Sequence, residues 1–110
     1  MKKIPFSDFE KVEMRVGRIL KVEEHPNANK LFILRVSFGD EERTIVSGLR
    51  GHYTPEELVD KEAIFATNLE PAVLRGVESN GMILAAVSSD RSRIKILVPD
   101  EEMDEGTKVS

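Results

Sequence analysis

Apolar residues recur at every second position from Val12 through Met14, Val16, Leu20 and Val22, with Glu13, Arg15, Lys21 and Glu23 between them. That period of two predicts a strand with one buried face. Arg18 interrupts the inward series and Gly17 precedes it, and glycine inside a strand marks a bulge or a sharp bend. A long, bent first strand can serve both sheets of a small barrel. His25-Pro26-Asn27-Ala28-Asn29-Lys30 then forms the first loop, because Pro26 ends the pattern and Asn favours turns. Alternation resumes with Phe32, Leu34, Val36 and Phe38 inward. Gly39-Asp40-Glu41 predicts a hairpin turn, with residues 42–47 returning as a third strand.

Ahead of the first strand, residues 6–12 predict a short helical turn, capped by Ser7 with Glu10 completing a capping box. Phe6 and Phe9 are expected to pack on the body. Between residues 48 and 60 a second short helix is expected, with Thr54 as N-cap, Pro55 first, and Glu56 and Glu57 in the first turn. Residues 63–67 predict a fourth strand. Asn68 to Gly81 reads as a loop with Pro71, Gly76 and Asn80-Gly81 as special backbone positions, and Arg75 as its one cation. The apolar run Met82 to Val87 predicts a buried fifth strand. A turn at 90–93 leads to a strand at 94–98, with Ile94, Ile96 and Val98 on one face. The tail, 99–110, is acidic, although Gly106-Thr107-Lys108-Val109 has the form of a turn into one last strand.

Three meandering strands, a helix and two more strands make the order of a five-stranded OB-fold Greek-key barrel. The short helix stands between strands 3 and 4, and a C-terminal β extension follows. The fold class is all-β. That architecture binds ligands with a sheet face and the loops after its first and fourth strands. Here those are 25–30 and 68–81, the two loops richest in unusual residues.

Composition narrows the class without naming a chemistry. The 110 residues suit one domain, with the barrel over about 12–98 and the extension over 99–110. There is no cysteine, which excludes a disulfide framework and fits a reducing, cytoplasmic setting. The N-terminus lacks the apolar core of a signal peptide, and no run approaches the ~18 apolar residues of a membrane span. Net charge is −4, yet residues 1–99 hold fifteen acids and fifteen Lys or Arg, so the whole excess lies in the last eleven residues. Local basic patches are therefore compatible with the acidic total.

No nucleophile elbow, phosphate-binding glycine pattern or metal-ligand spacing is present, and His25 and His52 are far apart in sequence. Neither a catalytic residue nor a metal or cofactor site is expected. Cations near the proposed loop end are Lys30 and Arg75, with Arg15 and Lys21 on the outward face of the first strand. Arg35 extends the patch, and Arg43 could join it. Such cations either contact phosphates or form an ordinary solvated face. Ser79 and Asn80 can offer hydrogen bonds to an unstacked base or a 2′-hydroxyl, or simply build a tight turn. Met82 can pack on a base or belong to the core. With five Phe and one Tyr, few stacking platforms are available, so backbone shape would dominate any RNA recognition.

Five ordered motifs extend the picture. They are Arg15-Val16-Gly17-Arg18-Ile19, the stretch Val22 to Leu31, Thr44-Ile45-Val46-Ser47-Gly48-Leu49, Asn68-Leu69-Glu70-Pro71, and the stretch Leu74 to Met82. Over nearly the whole chain the sequence resembles the stand-alone tRNA-binding domain family. Its members include the C-terminal or beta-subunit domain of methionyl-tRNA synthetases and small secretion-chaperone-like proteins. The resemblance implies structure-dependent, largely sequence-nonspecific tRNA binding, no catalysis of its own, and a homodimer formed through the C-terminal extension. It implies RNA contacts at Lys30, Arg75, Ser79, Asn80 and Met82, and an aminoacyl-tRNA synthetase as a further partner. The alternative it carries is a chaperone-like dimer that holds unfolded chains. Asn29 departs from the Asp usual in the family, removing a charge beside Lys30.

Overall fold

In a computed structural model, which describes all residues 1–110, the chain forms the expected barrel. β1 (Met14–Glu24) is the long strand, followed by β2 (Phe32–Ser37), β3 (Glu42–Ser47), helix α2 (Pro55–Leu58) and β4 (Glu62–Ala66). The first half of β1 pairs antiparallel with β4, from Met14 opposite Ala66 to Arg18 opposite Glu62. Its second half pairs with β2, from Arg18 opposite Ser37 to Glu24 opposite Phe32. One long strand thus carries β4 along its first half and β2 along its second, within one curved sheet of order β3-β2-β1-β4-β7. Its bend does not originate at Gly17. The register slips between Ile19 and Lys21, so Ile19 is fully buried while Leu20 is exposed. Both are apolar, so a period of two could not tell which one turns inward.

Gly17 serves close packing rather than the bulge. A Cβ there would lie 2.7 Å from both Phe38 and Val36 and 3.0 Å from Phe65. Those rings meet edge to face, 5.5 Å apart, within a core that also holds Ile19, Phe32, Leu34, Ile45, Leu49 and Leu58.

The second helix forms as expected. Thr54 accepts the Glu57 N–H, and the Glu57 carboxylate accepts the Thr54 N–H at 2.8 Å. The first helix differs. α1 (Phe6–Phe9) starts one residue before Ser7, with Pro5 at its N-cap and no side-chain cap. Pro5 has the extended backbone of a cap residue, and its carbonyl accepts the Asp8 N–H, which places Ser7 inside the helix. Phe6 and Phe9 lie against each other, 6.1 Å apart, and stay exposed. Neither enters the core; both line a groove with Met14 and Val109.

The predicted fifth strand is divided. β7 (Met82–Ile83) pairs with β4, and β8 (Ala85–Val87) leaves to pair with β9 (Ile94–Ile96). Ala86, Val87 and Met82 are consequently exposed rather than buried. Leu84 joins the parts, its N–H donating to Ile64 and its carbonyl accepting from Leu97. Ile94 and Ile96 cover the core from this hairpin.

The tail is ordered on the barrel. β10 (Lys108–Val109) pairs with β1 at Met14 and Arg15. Arg18 holds the tail from the barrel side, donating to Glu105 at 3.1 Å and Glu102 at 2.7 Å. It also lies 3.5 Å from the buried Glu62, whose other oxygen accepts the Met103 N–H. Glu105 also accepts from the Ser37 hydroxyl, which together with Arg18 holds its carboxyl below the ordinary range.

Candidate nucleic-acid interface

The stretch read as a loop is a hairpin. β5 (Ala72–Leu74) pairs with β6 (Val77–Ser79), and Arg75-Gly76 makes the two-residue turn. Both turn residues have positive φ, +52° and +89°, which is the type I′ geometry that suits strand twist. Asn or Gly is the inexpensive residue at its first position. An Arg there accepts about 1 kcal/mol of strain, which points to a use for its side chain.

Three segments meet at this end of the barrel. His25 is buried; its Nε2 donates to the Leu74 carbonyl at 3.0 Å, and its Nδ1 accepts the Asn27 N–H at 3.0 Å. One ring therefore shapes the 25–30 loop and fixes it to the hairpin, immediately before Arg75. Arg50 completes the frame from the 48–54 segment. Its guanidinium donates to the Ala28 carbonyl at 3.2 Å and the His25 carbonyl at 3.4 Å, and pairs with Glu24 at 3.0 Å. Sequence reasoning missed Arg50, because its main partners are backbone carbonyls more than twenty residues away, which leave no side-chain signature. The sequence places His25 in the 25–30 loop, and nothing local announces its bond to the hairpin.

Lys30 and Arg75 are exposed on this frame, and neither has an ion-pair partner. Asn80 presents an exposed side chain while its N–H donates to the Thr44 carbonyl at 2.9 Å. Met82 is half exposed beside it. Ser79 is buried: its hydroxyl accepts the Val46 N–H at 2.9 Å and donates to the Gly81 carbonyl at 3.0 Å. Ser79 and Asn80 thus close the gap between the hairpin and β3.

The strand cations sit elsewhere. Arg15 lies at the opposite end of β1, over the Phe38 ring at 4.8 Å, and bonds Glu41 at 3.1 Å. Arg43 stacks on the same ring at 5.6 Å and also binds Glu41. Hydrogen bonds from Arg43 and then Arg15 hold the Glu41 carboxyl down to about 2. Arg15 is therefore not an open outward cation. Lys21 and Arg35 do share an exposed face, directly opposite each other. Lys21 pairs with Glu23 at 2.8 Å and Arg35 with Glu42 at 3.2 Å.

A family model described as a putative tRNA-binding domain matches residues 14–108. The methionine–tRNA ligase of Pyrococcus horikoshii is 50% identical over 109 residues, covering 99% of this chain and 15% of that protein. The chain thus spans a small fraction of the length of that relative. A MetRS-related protein from Pyrococcus horikoshii superposes with a TM-score of 0.94 at 39% identity, covering both chains fully. The chaperone CsaA of Bacillus anthracis superposes at 0.89 with 25% identity, covering 99% of this chain and 100% of that one.

Proposed function

The chain belongs to the tRNA-binding domain family whose model spans residues 14–108, and on that premise we propose that it grips the tRNA backbone with Lys30, Arg75 and Asn80. The observation that carries the reading is Arg75, an unpaired cation held at a left-handed turn position by a hairpin tied to His25. Met82 supplies apolar contact beside Asn80. Ser79 contributes its position, with its hydroxyl spent on the barrel seam. Lys21 and Arg35 lie on an outer face that RNA would reach only by competing with their carboxylates, and Arg15 further still. The domain acts in the cytoplasm, adding tRNA affinity to a methionyl-tRNA synthetase and performing no catalytic step.

Arg75→Asn provides the test. Asn suits the first position of a type I′ turn at least as well, so thermal stability should hold or rise. Affinity for unfractionated tRNA should fall, and the slope of log K against log salt should shrink by about one, as for one lost phosphate contact. Unchanged affinity and slope in that titration would remove Arg75 from the interface.

The domain assembles as a homodimer in this reading, and the exposed apolar residues favour a seam wider than the tail. Phe6, Phe9, Val12, Met14 and Val109 line a groove of about 220 Å³ where α1 meets β10. Deleting 99–110 would strip Arg18 of Glu102 and Glu105, so point changes are the cleaner probe. Phe6→Ser with Phe9→Ser, both exposed in the monomer, should give a monomer in light scattering that still unfolds cooperatively, with its melting temperature no longer dependent on protein concentration. A variant that stays dimeric would place the seam elsewhere. The chaperone reading draws on the likeness to CsaA and on this same apolar groove; a holdase assay beside a tRNA gel shift separates the two.

A further inference from the structure

The β8–β9 hairpin carries a second cationic surface that the barrel-end site does not use. Asp90 builds its turn: one carboxylate oxygen accepts the Ser92 N–H at 3.0 Å and the Ser92 and Ser88 hydroxyls, both at 2.8 Å. Those bonds, the Ser92 N–H foremost, hold its carboxyl down to about 2. One oxygen of the turn's acid is thus taken by serine groups; the carboxylate stays charged, and three cations outnumber it on this hairpin. Arg91, Arg93 and Lys95 follow within five residues, all exposed and none in an ion pair. Glu57 is the acid whose field Lys95 reaches, and its carboxylate is engaged in the Thr54 cap.

The furrow in front of Arg93 and Lys95 is open because its other wall is small. Ala86 stands opposite Lys95 in register, and the Ser88 N–H bonds the Arg93 carbonyl. With Val87 they bound a shallow depression of about 280 Å³. Its back is rigid, since Ile94 and Ile96 pack on the core. Lys95 lies 5.6 Å over the Tyr53 ring, and the Tyr53 hydroxyl accepts the Ile96 N–H at 3.2 Å. Tyr53 and Arg50 share one short segment and an isolated bridge. The furrow and the Lys30–Arg75 end are therefore anchored to the same piece of backbone.

We propose that this furrow is a second RNA-backbone site, in which Arg93 and Lys95 take phosphates of the same tRNA that the barrel end holds, with Arg91 on the adjoining turn reaching the next phosphate. The proposal rests on the tRNA-binding reading. It extends the footprint from one loop cluster to a path over the 48–54 segment. Backbone phosphates suit the furrow because it offers unpaired cations and small side chains but no exposed aromatic face for a base.

The test is a salt titration of unfractionated tRNA binding by the whole chain, comparing wild type, Arg75→Asn, and R91A/R93A/K95A. The triple variant should lose affinity at low salt, and its slope should fall by about two to three, beyond the single unit of Arg75→Asn. A charge-keeping variant, R91K/R93K, should retain the slope, and thermal melts of the hairpin variants should match wild type because these side chains are exposed. A triple variant with wild-type affinity and slope, beside a weakened Arg75→Asn, would overturn the furrow and leave the barrel-end reading standing. If wild type itself fails to bind tRNA, both fall together.

Discussion

Gly106→Ala should destabilise the protein by about 3 kcal/mol or more, the largest effect expected of any single methyl group in this chain. Gly106 has φ +88°, and an added Cβ would overlap the Phe38 carbonyl oxygen. Its N–H donates to the Val16 carbonyl at 2.8 Å, while the Val16 N–H donates to Thr107 at 2.8 Å. The position is matched from the other side. Gly39 also has φ +88°, and its Cβ would lie 2.9 Å from the Glu105 carbonyl. Backbone therefore meets backbone where the 38–39 turn receives the tail, and neither side can yield alone. The clash would expel residues 100–110, uncovering the edge of β1 and parting Arg18 from Glu102 and Glu105. Glu62 would keep its buried charge with a less constrained partner. Thermal denaturation should show the loss directly, and limited proteolysis should cut the tail first. Gly48→Ala is the control: nothing lies within 4 Å of its Cβ and its φ is not left-handed, so its melt should match wild type. A Gly106→Ala protein as stable as that control would show that the tail is not held in this register.

This strap bears on how much of the molecule could be read beforehand. The tail's final strand was visible in Gly106-Thr107-Lys108-Val109, but the reason it stays down was not. Arg18 stood out only as an interruption of the inward series, and the acids that hold it lie more than forty residues away. Turn and cap chemistry, which acts between near neighbours, was partly legible: the Thr54 cap, the Gly39 turn and the barrel order follow from local patterns, while the capping box expected at Ser7 and Glu10 does not form because Pro5 takes the N-cap. The other failures came where two neighbouring residues were equally apolar or where a partner was a distant backbone carbonyl. Ile19 and Leu20 look alike to a period of two, and only the slipped register turns one inward. Met82 to Val87 is apolar throughout, yet β4 retains only its first part, because Ile94 and Ile96 provide the remaining cover from their own hairpin. At the barrel end, Arg75 stood out through the glycine beside it, and the structure gives both residues positive φ. The roles of His25 and Arg50 in holding the loops were not legible, because the carbonyls of Leu74, His25 and Ala28 that accept from them lie more than twenty residues away in sequence.

Ser79→Ala should cost about 1–3 kcal/mol, because it removes the partner of a buried N–H. The Ser79 hydroxyl accepts from Val46 and donates to Gly81 within a buried seam. The Asn80 N–H bonds Thr44 in the same seam, so the hairpin bearing Arg75 is attached to β3 by this pair of contacts. A hydroxyl has acceptor capacity for one more bond, but burial keeps RNA from it unless the seam opens. Two measurements distinguish a seam residue from a phosphate contact. Ser79→Ala should lower the melting temperature by several degrees, and any loss of tRNA affinity should leave the salt slope unchanged, since no cation is removed. Asn80→Ala, exposed and bonded through its backbone alone, should leave the melt within about 0.5 kcal/mol of wild type and still weaken tRNA. If Ser79→Ala instead keeps full stability and loses affinity as Asn80→Ala does, then the hydroxyl faces RNA in the complex, and the seam must part when tRNA binds.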